Sequence, residues 1–158
     1  MSRRVLVPSL IGVTVLGAVA AGGIAMASSS NSSPSSNPAE PSLKNGSARY
    51  TAPAAGGGTG SLTFTADVSD DSGVKNLKVL AWPASSKLDP TEKELRHAEG
   101  ATCRGTTEEK SRCTYTLKIT RAEAAELPEG TWHVSARATA KDGGTAFVPR
   151  AATFTVAR

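Results

Sequence analysis

The chain has few of the side chains on which enzyme active sites depend. It contains two histidines among its 158 residues, His97 and His133, and no G-x-S-x-G nucleophile motif. His97 falls in a charged segment expected at the surface, and His133 is expected to point away from the apolar row that begins at Trp132. An enzyme needs an activated nucleophile or an acid–base pair. We therefore expect no catalytic activity and no cofactor.

The chain also lacks any block of like charge. Setting aside Arg3 and Arg4, which belong to a predicted signal peptide, the 18 basic residues fall to 16 against 14 acidic ones, a net charge of +2. This mild charge gives no electrostatic reason to expect nucleic-acid binding.

Cysteine is equally scarce, with Cys103 and Cys113 as the only pair. The pair has neither the Cys-x-x-Cys spacing nor the neighbouring histidines that a redox or metal site would need. In an oxidising compartment we read it as a disulfide. A loop of this size contributes roughly 2–3 kcal/mol in the chain-entropy description, less any strain.

The N-terminus has the three parts of a secretory signal peptide. Arg3 and Arg4 are followed by an uncharged apolar stretch that ends at Ala25-Met26-Ala27. We predict a signal peptide over residues 1–27, a linker rich in Ser, Asn and Pro over 28–44, and one domain over 45–158. The alternative is an uncleaved membrane anchor. The paired arginines also resemble a twin-arginine export signal, so the export route stays open.

The rest of the chain alternates between apolar and polar residues with a period of two, as half-buried β-strands do. Turn residues separate the alternating runs, and no βαβ pattern is present. The rows expected to face one core are Leu62/Phe64, Leu77/Val79, Tyr115/Leu117, Trp132/Val134 and Phe154/Val156. We predict an all-β fold, an antiparallel β-sandwich of about seven strands, with a small barrel as the alternative.

One or two short surface helices are expected between the strands. Asp89–Glu92 has the pattern of a helix start, with Asp as the cap and Pro in the first position, and predicts a helix from Pro90 to about Ala98. Its high charge predicts a surface connection and not a core element. A second capping box at Thr120–Glu123 predicts another helical turn.

Several segments resemble known bacterial modules. Thr65–Val74 looks like the corner between the second and third strands of bacterial immunoglobulin-like domains, and Glu129–Gly144 resembles their C-terminal hairpin. With Trp82-Pro83 and the Cys103/Cys113 pair, Gly130–His133 is similar to a family of small secreted bacterial domains of unknown function. The resemblance implies an immunoglobulin-like sandwich and carries no assigned activity. The cysteines lie too close in sequence to bridge two sheets as in antibody domains, so we expect them to join neighbouring strands or a loop.

A calcium site is the first candidate binding site. Asp67, Asp70 and Asp71 offer the carboxylate oxygens that calcium prefers, yet the twelve-residue loop with a closing Glu is missing. Aspartate is also favoured in plain turns, where it accepts hydrogen bonds from its own backbone. We interpret the segment as a turn and assign no metal ligands, and the sequence leaves open whether calcium binds near these residues.

Two further candidates concern recognition. Trp82 lies off the Leu77/Val79 face, and its indole could form a platform for sugar. The tethered segment 103–113 could act as a protease-inhibitor loop, with Arg104, Lys110 and Arg112 suited to a trypsin-like pocket. A stapled hairpin without such a role is the simpler interpretation.

We expect a secreted, non-catalytic interaction or structural module, found outside the cell or in its envelope. Its expected partner is an extracellular protein or a cell-wall glycan, without contact to nucleic acid or, after signal cleavage, to a membrane. A protease inhibitor and a carbohydrate-binding module are the alternatives.

Overall fold

The computed structural model describes residues 38–157, which form two antiparallel four-stranded sheets packed as a β-sandwich. The first sheet has the order β1-β2-β6-β5 and the second the order β4-β3-β7-β8. The strands are β1 (Ser42–Thr51), β2 (Gly60–Ser69), β3 (Val74–Pro83), β4 (Glu99–Gly100), β5 (Thr102–Gly105), β6 (Lys110–Ile119), β7 (Gly130–Ala140) and β8 (Thr145–Val156). Two helices, α1 (Glu92–Leu95) and α2 (Arg121–Glu126), and a 3-10 turn over Ala84–Ser86 complete the fold. The prediction of an antiparallel sandwich with short helices is confirmed.

The core lies between the two sheets and is built from the predicted alternating rows. Phe64, Leu77 and Val134 are fully buried there, and Trp132 and Phe154 pack together with their rings 5.9 Å apart. In each row every second side chain points to the same face of its sheet. All five predicted rows therefore contribute to one hydrophobic core.

The domain begins earlier than predicted. Strand β1 starts at Ser42, inside the segment 28–44 that the sequence assigned to a linker. Leu43 packs against the core, and the ladder to β2 pairs it with Val68. A single apolar residue after a Ser- and Pro-rich run gives no periodicity, which is why sequence reasoning placed the boundary after it. The predicted signal peptide 1–27 and the first part of the linker lie outside the described residues.

Helix α1 differs from its prediction in both position and packing. Its cap is Thr91, whose amide and hydroxyl both donate to a carboxylate oxygen of Glu94, so the cap lies two residues after the predicted cap at Asp89. Leu95 is fully buried although its neighbours are charged. The helix is held on the second sheet because Glu92 accepts hydrogen bonds from Arg137 and Thr145, each at 3.0 Å. It is therefore a packed cover and not a surface connection.

The second predicted helical turn is confirmed as α2, where Thr120 and Glu123 form the expected capping box. Between residues 38 and 157, neither helix has the length and apolar character that crossing a bilayer would require.

Candidate functional site

The disulfide joins two neighbouring strands of the first sheet. Cys103 in β5 lies directly opposite Cys113 in β6, with their Cα atoms 3.9 Å apart. Cys113 is fully buried in the core, as its place in the row of Tyr115 and Leu117 predicts. Strand β5 has only four residues, and a covalent link is an effective way to hold so short an edge strand on its partner. The predicted disulfide between neighbouring strands is confirmed, and its role as a stabilising staple stays a prediction.

The tethered segment is a hairpin and not an open loop. Arg104 and Arg112 are paired with each other within the β5–β6 ladder, so the exposed turn is reduced to Thr106–Glu109. Two hydrogen bonds within the hairpin close that turn. The Thr106 amide donates to the Lys110 carbonyl at 2.8 Å, and the Lys110 amide donates to the Thr107 hydroxyl at 3.0 Å. The basic residues proposed for recognition therefore project from strands.

Those basic residues belong to a larger surface, the outer face of the first sheet. Directly opposed residues of adjacent strands lie on the same face, and the register therefore collects every second residue of four strands here. Six exposed cations result, with one acidic side chain among them, Asp67. The cations are Lys44, Arg49, Arg104, Lys110, Arg112 and Lys118. We call this surface the cationic face.

Hydroxyl side chains fill the space between the cations. The opposed pairs Thr63/Thr116 and Thr65/Thr114 occupy the middle of the face. With Ser61 and Ser69 at the two ends of β2, they give a surface of charged and hydroxyl groups over the whole ladder. The contacts of α1 are with β3 and β7 of the other sheet. Among the described elements, no helix covers the cationic face.

Asp67 neutralises only one corner of this face. Its carboxylate is 3.3 Å from the Arg112 guanidinium and accepts a hydrogen bond from the Asn45 side chain at 2.8 Å. Within residues 38–157, Arg112 is the only one of the six cations with an ion-pair partner. A shallow groove of about 350 Å³ opens beside this pair and is lined by Lys44, Asn45, Asp67, Val68, Ser69, Thr106, Lys110 and Ser111.

Trp82 is not available as a platform for sugar. Its side chain is 4% exposed, its indole nitrogen donates to the Ser135 hydroxyl at 2.9 Å, and His133 lies against the ring at 4.8 Å. The sequence correctly placed Trp82 off the Leu77/Val79 face. Sequence reasoning missed that the outer side of the second sheet carries its own cover, including Leu95 of α1.

The three aspartates considered for calcium do not come together. Asp67 lies on the cationic face with Arg112, whereas Asp70 and Asp71 lie in the turn after β2. Their carboxylate neighbour is Asp142, from the turn between β7 and β8. The turn interpretation favoured from the sequence fits Asp70 and Asp71, whereas Asp67 lies in strand β2, so the three do not form one group.

Tyr115 and His133 are further titratable side chains that contact neighbouring residues of the fold. The Tyr115 hydroxyl donates to the Glu99 carboxylate at 2.8 Å, and burial together with this carboxylate raises the pKa of the tyrosine well above its usual value. His97 is exposed, and the His133 ring packs on Trp82 within hydrogen-bond distance of the Thr153 hydroxyl. Tyr115 and His133 therefore each have a hydrogen-bond or packing partner within the fold.

Sequence reasoning found three of the six cations, Arg104, Lys110 and Arg112, and interpreted them as loop residues. A signal for the shared face was available in β6. Its basic residues Lys110, Arg112 and Lys118 occupy the alternate positions that face away from the core. Strand order was needed to bring Arg49 and Lys44 beside them, since β1 is separated from β6 by more than fifty residues and by the whole of β2 in the sheet. The net charge of the whole chain does not show that cations are concentrated on one face of the sandwich.

Comparison with known proteins gives one match. A family model described as "Family of unknown function (DUF5707)" matches residues 43–138, from strand β1 into β7. No curated protein and no solved structure matches the chain.

Proposed function

The chain belongs to this family of unknown function, and we propose that it is a secreted, non-catalytic module that binds an anionic polymer of the cell envelope through the cationic face. The observation that carries the proposal is the composition of that face, with six exposed cations and one acid on a sheet that no described helix covers. The domain as a whole is nearly neutral, so this concentration of charge is a local feature and not a reflection of the total.

The chemistry of the face suits a chain of phosphate or carboxylate groups. Guanidinium groups bind such anions through two parallel hydrogen bonds, and lysine adds point charges. Serine and threonine hydroxyls can donate to the same oxygens or to sugar hydroxyls. At about 3.4 Å per residue, the distance from Lys110 to Lys118 along β6 is about 27 Å, long enough for several repeats of a polymer.

The sheet topology and the disulfide support a secreted immunoglobulin-like module. If the strands are lettered in chain order, with β4 as an added edge strand, the sheets read ABED and CFG, which is the immunoglobulin arrangement. The disulfide is typical of oxidising compartments. Intact mass of the exported protein tests this part, because cleavage at the predicted site gives a protein that begins at Ser28. A protein that retains the apolar segment would contradict secretion.

Two other functions were considered from the sequence. A protease inhibitor presents an accessible residue on a protruding segment, whereas Arg104 and Arg112 are held in paired strands. A carbohydrate-binding module with Trp82 as its platform conflicts with the burial of that side chain. Anion binding by the cationic face uses the same basic residues without either difficulty.

The test measures binding to poly(glycerol phosphate), with neutral dextran as the control polymer. We expect binding to the phosphate polymer only, weakening as salt is raised. The triple variant R49E/R104E/K118E should lose about tenfold or more in affinity, since each exposed charge contact contributes some tenths of a kcal/mol. The matched control K87E/K93E/R150E changes the net charge equally, on exposed residues outside the face.

Equal affinities of the two triple variants would contradict the proposal, because net charge alone would then govern binding. Binding to dextran as strong as to the phosphate polymer would favour a neutral-glycan module instead.

A further inference from the structure

Three aspartates meet at one end of the sandwich, away from the cationic face. Asp70 and Asp71 belong to the turn between β2 and β3, and Asp142 belongs to the turn between β7 and β8. One carboxylate oxygen from each lies within 4.8 Å of the others. The turns are held together by the backbone, because the Lys141 amide donates to the Gly73 carbonyl at 2.9 Å.

One buried oxygen of Asp70 has no hydrogen-bond donor among the described residues. The residue is 7% exposed, and its Oδ1 accepts from the Ser72 amide at 2.9 Å and from the Ser72 hydroxyl at 2.6 Å. Its Oδ2 is buried and finds no hydrogen-bond partner within residues 38–157. A buried carboxylate oxygen is costly unless a donor or a cation compensates it. The adjacent side chains of Asp71 and Asp142 are acceptors when ionised, so they cannot supply the missing donor.

We propose that Asp70, Asp71 and Asp142 bind a calcium ion. Calcium takes six to eight oxygen ligands in flexible geometry, and carboxylates are its usual protein ligands. Asp70 is the buried member of the group, while the exposed Asp71 and Asp142 leave room for water to complete the coordination. The ion joins the turn that leaves the first sheet to a hairpin of the second, and so ties the two sheets together at this end. The proposal does not depend on anion binding by the cationic face.

Lys141 offers a rival explanation for the cluster. Its side chain lies over Gly73, where a Cβ atom would be 3.1 Å from the lysine Nζ. An ammonium group at this position could balance the three carboxylates without any metal. Among the described residues, however, none of the three carboxylates has an ion pair with a lysine or arginine.

The experiment is thermal unfolding of the purified protein after EDTA treatment, titrated with CaCl₂ at constant ionic strength. Sites of extracellular modules have dissociation constants on the order of 0.1–1 mM, so about 10 mM calcium should raise the melting temperature by roughly 5–15 °C. D71N and D142N should each abolish most of this shift and remain folded by circular dichroism. D89N, an exposed acid of the β3–α1 connection, should keep it.

Three results would overturn the proposal. The first is a wild-type melting temperature that does not respond to calcium, and the second is a response retained by D142N. The third is an equal response to magnesium, which demands a stricter octahedral geometry. The variant K141M separates the rival explanation. Under the proposal it binds calcium at least as tightly as the wild type, whereas lysine neutralisation predicts a lower melting temperature that calcium does not restore.

Discussion

Ser135 is a polar residue buried completely within the described part of the chain, and it connects three strands. It accepts the indole N–H of Trp82 in β3 and donates to the carbonyl of Pro149 in β8 at 2.6 Å. Strand β8 has extra residues opposite Ser135, because its register shifts between the partners of Val134 and Ala136. A proline is tolerated within a strand at such a bulge, and the Ser135 hydroxyl donates to its carbonyl there.

Replacing Ser135 by alanine should lower the free energy of unfolding by roughly 1–3 kcal/mol, since the buried indole N–H of Trp82 and the partly buried carbonyl of Pro149 both lose their partner. Urea denaturation measures the loss. The control T153A removes a hydroxyl from an exposed contact with His133 and should change stability by less than about 0.5 kcal/mol. If S135A were as mild as T153A, the bulge would not depend on this serine.

Glu92 is the side chain through which α1 is attached to the second sheet, and its attachment depends on pH. Hydrogen bonds from Arg137 and then from Thr145 lower the pKa of Glu92 below its usual value. A carboxyl group whose pKa is lower in the folded state stabilises the fold above its unfolded pKa of about 4.3. That contribution is lost as the pH falls through the lower, folded value.

The variant E92Q should therefore be less stable than the wild type at neutral pH, by a fraction of about 1 kcal/mol for a partly exposed pair. The difference in melting temperature should narrow as the pH falls from about 5 to about 3, since the wild type alone loses the charge. Melting curves across this range test the expectation, with E126Q on the exposed side of α2 as the control. A difference that stays constant with pH would show that the Glu92 carboxylate is not the charged partner of Arg137.

At the scale of elements, the disulfide and the cationic face have separate consequences. Removing the β5–β6 link in C103A/C113A should cost roughly 2–4 kcal/mol, a fall in melting temperature of roughly 8–25 °C. Alanine suits position 113 better than serine because the site is fully buried. An unchanged melting temperature in the cysteine variant would contradict the staple interpretation.

The variant R104A/K110A/R112A should instead weaken binding to the anionic polymer and leave the melting temperature within about 2 °C of the wild-type value.

The elements also show how far local patterns reach. Strict alternation predicted β2 and β6, because the two faces of each differ in burial, and it predicted β7 although helix α1 packs on the outer face of that strand. It failed for β4 and β5, which are too short to show a period. It also misjudged α1, where a single apolar residue, Leu95, decides the packing among charged neighbours.

The candidate sites were harder to predict than the strands, because the residues of each site lie far apart in the sequence. Asp142 joins Asp70 only because two turns meet at one end of the sandwich, and Arg49 joins Lys118 only because β1 and β6 flank β2. The alternation of side chains along one strand shows which of them share a face. It does not show which strand comes next in the sheet or which turns lie together.

At the scale of the whole molecule, the two sheets approach each other closely where β1 passes β8. The β1 ladder is interrupted between Lys44 and Ser47, with Asn45 in the left-handed region at φ 54°. Here a Cβ atom on Gly46 would overlap the carbonyl oxygen of Ala151, so the first sheet reaches the second only because this position has no side chain. The backbones of β1 and β8 are therefore in contact along this edge, and the Phe64 ring lies next to Gly46.

Replacing Gly46 by alanine should therefore lower the free energy of unfolding by roughly 1–3 kcal/mol, the usual cost of forcing an added methyl group into packed surroundings. The matched control is G56A, at a glycine with open space around its Cβ position. There the smaller entropy of the unfolded chain should leave stability unchanged or raise it by up to about 1 kcal/mol. Urea denaturation midpoints of the two variants measure the contrast. Equal midpoints would mean that β1 can move away from β8 without loss, and the edge contact would then add nothing to the joining of the sheets.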